Sequence, residues 1–295
     1  MKKTVFTGSG VALITPFKNG EVDFETYGKL LQYHIDNGTD AIIACGTTGE
    51  SATMPDKEHL SVIEYAVKKV NGAIPVIAGT GSNDTKHGIE LTKEAVKLGA
   101  DAVLLVTPYY NKATQKGLLK HYAMTAESVD VPCILYNVPS RTGTDIKPDT
   151  VKELSKIDNI VAIKEATGDI ARALEIKALC GDDMDIYSGN DDITVPILSA
   201  GGKGVISVVA NIAPKDTHDM VQLYLDGERE KALEIQLKML PLISALFCEV
   251  NPIPVKTAMN LLGFNAGELR MPLCEMEPKN LEVLKKAMKD YGFEF

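Results

Sequence analysis

Apolar residues follow two alternating patterns along this chain. Short, nearly uninterrupted apolar runs are each followed by a stretch in which apolar positions recur every three or four residues. The runs are Val11–Pro16, Ala41–Cys45, Pro75–Ala78, Ala102–Val106, Cys133–Tyr136, Ile160–Ile163, Asp185–Tyr187 and Gly204–Val208. A run such as Ala102-Val103-Leu104-Leu105-Val106 reads as a parallel strand buried on both faces. Asp23–Asn37, Asp56–Val70, Asn83–Leu98 and Thr114–Ser128 read as amphipathic helices, with Asp23 and Asn83 as candidate caps and Gly38 and Gly99 as stops. Eight such units predict an α/β fold, a (β/α)8 TIM barrel rather than an open doubly wound sheet. Beyond Val208, the stretches Ala213–Tyr224, Glu228–Phe247, Ile253–Leu262 and Pro278–Tyr291 all read as helical. The expected organisation is a barrel over residues 1–224 and a C-terminal helical region over residues 225–295.

Composition narrows the function. A net charge of −9 over 295 residues argues against a nucleic-acid partner, which needs a basic surface. With 45% hydrophobic and 24% charged residues, the chain can bury a large core, which excludes a disordered protein. No apolar run approaches the ~20 residues of a membrane span. Met1-Lys2-Lys3 resembles the start of a signal peptide, but Gly8, Ser9 and Gly10 break the apolar stretch that would have to follow. The five cysteines (Cys45, Cys133, Cys180, Cys248 and Cys274) are odd in number and form no CxxC. Reduced thiols and a cytoplasmic location are the expectation.

Barrel enzymes place their chemistry at the C-terminal strand ends. Here those ends carry hydroxyls and glycines, among them Gly46-Thr47-Thr48-Gly49-Glu50, Thr107-Pro108-Tyr109-Tyr110 and Ser188-Gly189-Asn190. Glu50 and Glu165 stand apart, and His34, His59, His87, His121 and His218 fall in helical stretches. No metal site is expected, because a metal needs three or four convergent ligands. Lys164 ends the apolar run Ile160-Val161-Ala162-Ile163. Desolvation disfavours an ammonium, and a free amine attacks a carbonyl to form a Schiff base. Tyr136 ends the preceding run and could pass a proton there. The glycine-flanked Thr47-Thr48 turn could hold a carboxylate on its backbone N–H groups, and Arg141 could grip one bidentately. Residue type alone also allows a solvated lysine, a packed tyrosine ring, an ordinary tight turn and a surface arginine.

These residues carry a resemblance. Gly46-Thr47-Thr48-Gly49-Glu50-Ser51, Tyr136-Asn137-Val138-Pro139-Ser140-Arg141-Thr142-Gly143 and Ala162-Ile163-Lys164-Glu165-Ala166 resemble signatures of the dihydrodipicolinate synthase (4-hydroxy-tetrahydrodipicolinate synthase) family. That family lies within the pyruvate-dependent class I aldolases. Asn251-Pro252-Ile253-Pro254-Val255-Lys256 resembles a stretch of its C-terminal region. The resemblance runs from about Val11 to the C-terminus and implies a lyase of lysine and diaminopimelate biosynthesis. Lys164 would form the imine with pyruvate, so no cofactor is needed, and Tyr136 would move protons. Thr48 and Tyr110 would complete a hydroxyl relay, with Tyr110 reaching a neighbouring subunit of a homotetramer. Thr47 and Thr48 would bind the pyruvate carboxylate, and Arg141 that of L-aspartate 4-semialdehyde. Gly189 and Ile206 would line the pocket through backbone groups.

Arg141 and the paired threonines separate this resemblance from N-acetylneuraminate lyase, which resembles the chain in fold and lysine chemistry. Aldolases of the 2-keto-3-deoxy acid type and a non-catalytic keto-acid-binding barrel stay as alternatives. A phosphate-binding barrel enzyme has slighter support, because Gly201, Gly202 and Gly204 precede the last strand. In lysine-inhibited members an allosteric site matches Ser51, Ala52, His59, Asn83 and Tyr109. Asp56 stands where those members tend to have histidine, and His87 where they have glutamate. Weak or absent inhibition by lysine is therefore expected.

Overall fold

A computed structural model describes residues 2–295. Its strands β1 (Gly8–Ala12), β2 (Ala41–Ala44), β3 (Val76–Gly79), β4 (Ala102–Val106), β5 (Cys133–Asn137), β6 (Ile160–Glu165), β7 (Asp185–Ser188) and β8 (Gly204–Ser207) form a closed barrel. Each pairs in parallel with the next, and β8 returns to β1. Parallel neighbours need crossovers, and helices supply them. They are α1 (Phe24–Asp36), α2 (Asp56–Val70), α3 (Thr85–Lys97), α4 (Gln115–Ala126), α5 (Pro148–Leu154), α6 (Ile170–Cys180) and α7 (Thr194–Ser199), with α8 (Pro214–Leu225) after β8. The expected TIM barrel is thus the observed fold. Helices α9 (Arg229–Leu246), α10 (Ile253–Leu261) and α11 (Pro278–Tyr291) follow, with α9 packed against α8 and α11. No helix among the described residues is long and apolar enough to cross a membrane.

Alternation along the strands decides which side chains enter the barrel. Ile43, Ile77, Leu104, Ile134, Tyr136, Ala162, Tyr187 and Ile206 pack inside, while Ile42, Val76, Val103, Leu135, Ile163 and Val205 join the cluster under the helices. Lys164 lies two residues beyond Ala162 on β6 and so turns inward at the strand's C-terminal end.

The first strand begins earlier than its apolar pattern predicted, at Gly8–Ala12 instead of Val11–Pro16. Gly8 sits opposite Gly204 where the barrel closes. A Cβ on Gly204 would stand 1.9 Å from the Gly8 carbonyl oxygen. Only glycine permits that approach, and its lack of a side chain removed the apolar signal. A small hairpin, Phe17–Lys18 with Glu21–Val22, was also unforeseen. Helix α3 is capped by Asp84, whose side chain accepts from Lys86 N. Asn83, the expected cap, instead donates to the Tyr109 carbonyl at 3.2 Å.

Candidate active site

Strand pairing sets Tyr136 directly beside Lys164. Both side chains are buried, and the Lys164 Nζ lies 4.3 Å from the centroid of the Tyr136 ring. A ring face attracts a cation without binding its protons, so the amine stays available to a carbonyl. Behind the pair, the Asn137 amide donates to Glu165 Oε2 at 3.1 Å and to Asp145 Oδ1 at 3.0 Å. Burial pushes the Glu165 carboxyl up, against hydrogen bonds from Thr167 and Asn137. This network fixes the two strand ends that carry the amine and the phenol.

A cavity of about 410 Å³ opens beside them, lined by Thr47, Tyr136, Val138, Arg141 and Thr142 among others. Arg141 stands exposed on a single helical turn, Pro139–Thr142, directly after β5. Its Nη2 donates to the Asn251 carbonyl at 3.1 Å. Of the paired threonines, Thr47 lines the cavity. Thr48 is buried beside it, and its Oγ1 accepts from Asn251 Nδ2 at 3.0 Å. Of the two, Thr47 rather than Thr48 is therefore the threonine on the cavity wall. Gly189 and Ile206 are not on the cavity wall. Gly189 donates to the Glu165 carbonyl at 2.7 Å, and Ile206 packs inside the barrel. Tyr110 is also absent from the wall. It adopts a positive φ of 73° and is 91% exposed.

The same cavity continues past Ser51, Ala52, Asp56, His59, His87 and Tyr109. His87 Nε2 is 3.0 Å from Asp56 Oδ1, and its Nδ1 is 3.0 Å from Ser82 Oγ. The two departures from the lysine-binding pattern thus satisfy each other. His59 bonds the Gly79 carbonyl at 2.8 Å, and burial holds its pKa below the usual value.

Three residues of this neighbourhood escaped the sequence reading. Asp191, on the turn after β7, accepts from Val208 N and Val209 N at 3.0 and 2.9 Å. Burial pushes its carboxyl up, opposed by those bonds and by the charge of Lys164. Asn251 precedes α10 and reaches Thr48 and Arg141. Lys256, on α10, pairs with Glu50 at 2.7 Å with both side chains 1% exposed. Glu50 did not stand apart after all; its second oxygen accepts from Arg270 N at 3.0 Å. The motif around Asn251 was the one signal that could have found two of these three.

Comparison with known proteins accords with this geometry. The model of the dihydrodipicolinate synthetase family matches residues 5–291. A 4-hydroxy-tetrahydrodipicolinate synthase of Caldicellulosiruptor bescii is 61% identical over 290 residues, covering 98% of each chain. The crystal structure of dihydrodipicolinate synthase from Thermotoga maritima superposes with a TM-score of 0.96 at 46% identity, covering 98% of this chain and 99% of that one. A chloride-inhibited dihydrodipicolinate synthase from Acinetobacter baumannii, complexed with pyruvate, does so with the same score, identity and coverage. Strand order, the inward lysine and near-complete coverage agree: the chain belongs to the dihydrodipicolinate synthetase family.

Proposed function

We propose that the chain condenses pyruvate with L-aspartate 4-semialdehyde to give 4-hydroxy-tetrahydrodipicolinate, a lyase step of lysine and diaminopimelate biosynthesis. The observation that carries this is the buried Lys164 amine facing Tyr136 beside a cavity walled by Arg141. The amine attacks the pyruvate ketone, and water leaves. The protonated imine withdraws electrons, the methyl group loses a proton, and an enamine forms. Its carbon attacks the aldehyde carbon, and the new alkoxide takes up a proton. The amino group of the second substrate then displaces Lys164 as the ring closes. Tyr136 carries the protons, relayed by Thr47 and by a neighbouring subunit's tyrosine equivalent to Tyr110. A ring as exposed as that of Tyr110 fits a role across an interface, and we assign a homotetramer. Thr47 and Thr48 hold the pyruvate carboxylate, with Gly189 and Ile206 contributing backbone groups.

No cofactor enters this scheme, because the imine itself is the electron sink. The described residues up to 224 form the catalytic barrel, and residues 225–295 the helical region that braces its rim. A cytoplasmic location fits five unpaired cysteines. Incubation with pyruvate and borohydride, read by intact mass and peptide mapping, tests the core of the proposal. One reduced pyruvate on Lys164 is expected; a folded protein with no adduct would sink it.

Two further outcomes follow. Arg141→Ala should lower kcat/KM for the semialdehyde about 10- to 100-fold, the worth of a charge-assisted contact. Pyruvate trapping should be unchanged, and a loss confined to trapping would reassign Arg141. L-Lysine should inhibit weakly or not at all, because Asp56 is already engaged by His87. An inhibition titration with a submillimolar midpoint would refute this.

A further inference from the structure

We infer that Asn251 is a positioning residue that aims the Thr48 hydroxyl at the pyruvate carboxylate. The inference rests on the reading of Thr47 and Thr48 as the carboxylate-binding turn. Asn251 lies outside the barrel strands, at the entrance to α10, and is 5% exposed. Its Nδ2 donates to Thr48 Oγ1 at 3.0 Å. An amide nitrogen can only donate, so the hydroxyl is fixed as the acceptor in that bond. The hydroxyl's own proton must then find a different partner. Among the described residues it has none, although Thr48 is only 2% exposed.

A buried O–H with nothing to donate to is costly unless a ligand completes it. A carboxylate is acceptor-only and answers that need. The Asn251 Oδ1 also lacks a partner, so the side chain acts here through its donor end alone. The main chain of the same residue does a second job, since its carbonyl accepts from Arg141 Nη2 at 3.1 Å. One residue thereby holds both carboxylate-binding groups by different atoms. The side chain serves the pyruvate half and the backbone serves the aldehyde half.

That division gives the test. Asn251→Leu keeps the branched side-chain shape, removes the donor and leaves the carbonyl in place. It should raise the pyruvate concentration for half-maximal borohydride trapping about 10-fold, the scale of one hydrogen bond. The KM for the semialdehyde should stay within about two-fold, since the Arg141 contact to the main chain is untouched. In a Thr48→Val background the same exchange should add nothing, because the hydroxyl it aims is gone. Asn251→Ala repeats the comparison if the leucine variant unfolds below assay temperature. Unchanged half-saturation in a folded variant, or an equal rise for both substrates, would overturn the positioning role. Failure of the unmodified protein to trap pyruvate would instead remove the Schiff-base reading beneath it.

Discussion

Exchange of Lys164 for methionine is expected to abolish pyruvate trapping and to lower kcat by about 10⁶-fold, the scale seen when a covalent nucleophile is removed. The thioether has similar length and packs in the same place, but it cannot form an imine. Stability should not fall with activity. The Lys164 ammonium is buried and faces an aromatic ring, and it forms no ion pair with a described residue. With no ion pair to break, an apolar side chain of similar length strands no direct partner there. Tm should therefore hold while turnover vanishes. A variant that loses Tm and activity together would mean that Lys164 is structural. Tyr136→Phe offers the graded comparison. It should retain the adduct but slow turnover by about 10²- to 10⁴-fold, the worth of a positioned proton carrier.

The second large effect concerns stability. Lys256→Met should destabilise the fold by about 3–5 kcal/mol, because it strands the buried Glu50 carboxylate without its cation. Denaturant titration measures this directly. The double variant Glu50→Gln, Lys256→Met should recover much of the loss, since no charge then lies uncompensated. The pair also has a pH signature. Burial lowers the Lys256 pKa from 10.5 to about 8, against the opposing pull of Glu50. Between those values the unfolded chain binds more protons than the folded one, so this group's contribution to stability rises with pH. Comparing the native and Lys256→Met proteins from pH 8 to 10.5 isolates that slope. It should be present in the first and missing in the second.

Much of this was legible before any coordinates. Strands buried on both faces announce themselves as unbroken apolar runs, and eight of them leave few topologies. Lys164 and Tyr136 were visible because a polar residue ending such a run violates its own pattern. What stayed hidden depends on long-range contact. Asn251 meets Thr48 across 203 residues of sequence, and Lys256 meets Glu50 across 206. No local periodicity encodes either meeting. Gly8 gave no strand signal for the opposite reason, since the close backbone approach where the barrel shuts calls for the residue with least signal. The choice between Thr47 and Thr48 turned on which way a tight turn faces, and adjacent identical residues give no hint of that.

The contacts of Asn251 and Lys256 with the barrel rim have a consequence for the life of the chain on the ribosome. Synthesis runs from the N-terminus, and domains fold as their residues emerge. Strand β1 must wait for β8 before the sheet can close. Even then, the turn carrying Thr48 and Glu50 lacks the side chains that hold it until α10 has left the exit tunnel. Lys164, the proposed nucleophile, is thus made long before the site that would use it is assembled. A nascent chain carries a lysine that does nothing, and reactivity toward keto acids arrives only once α10 has emerged.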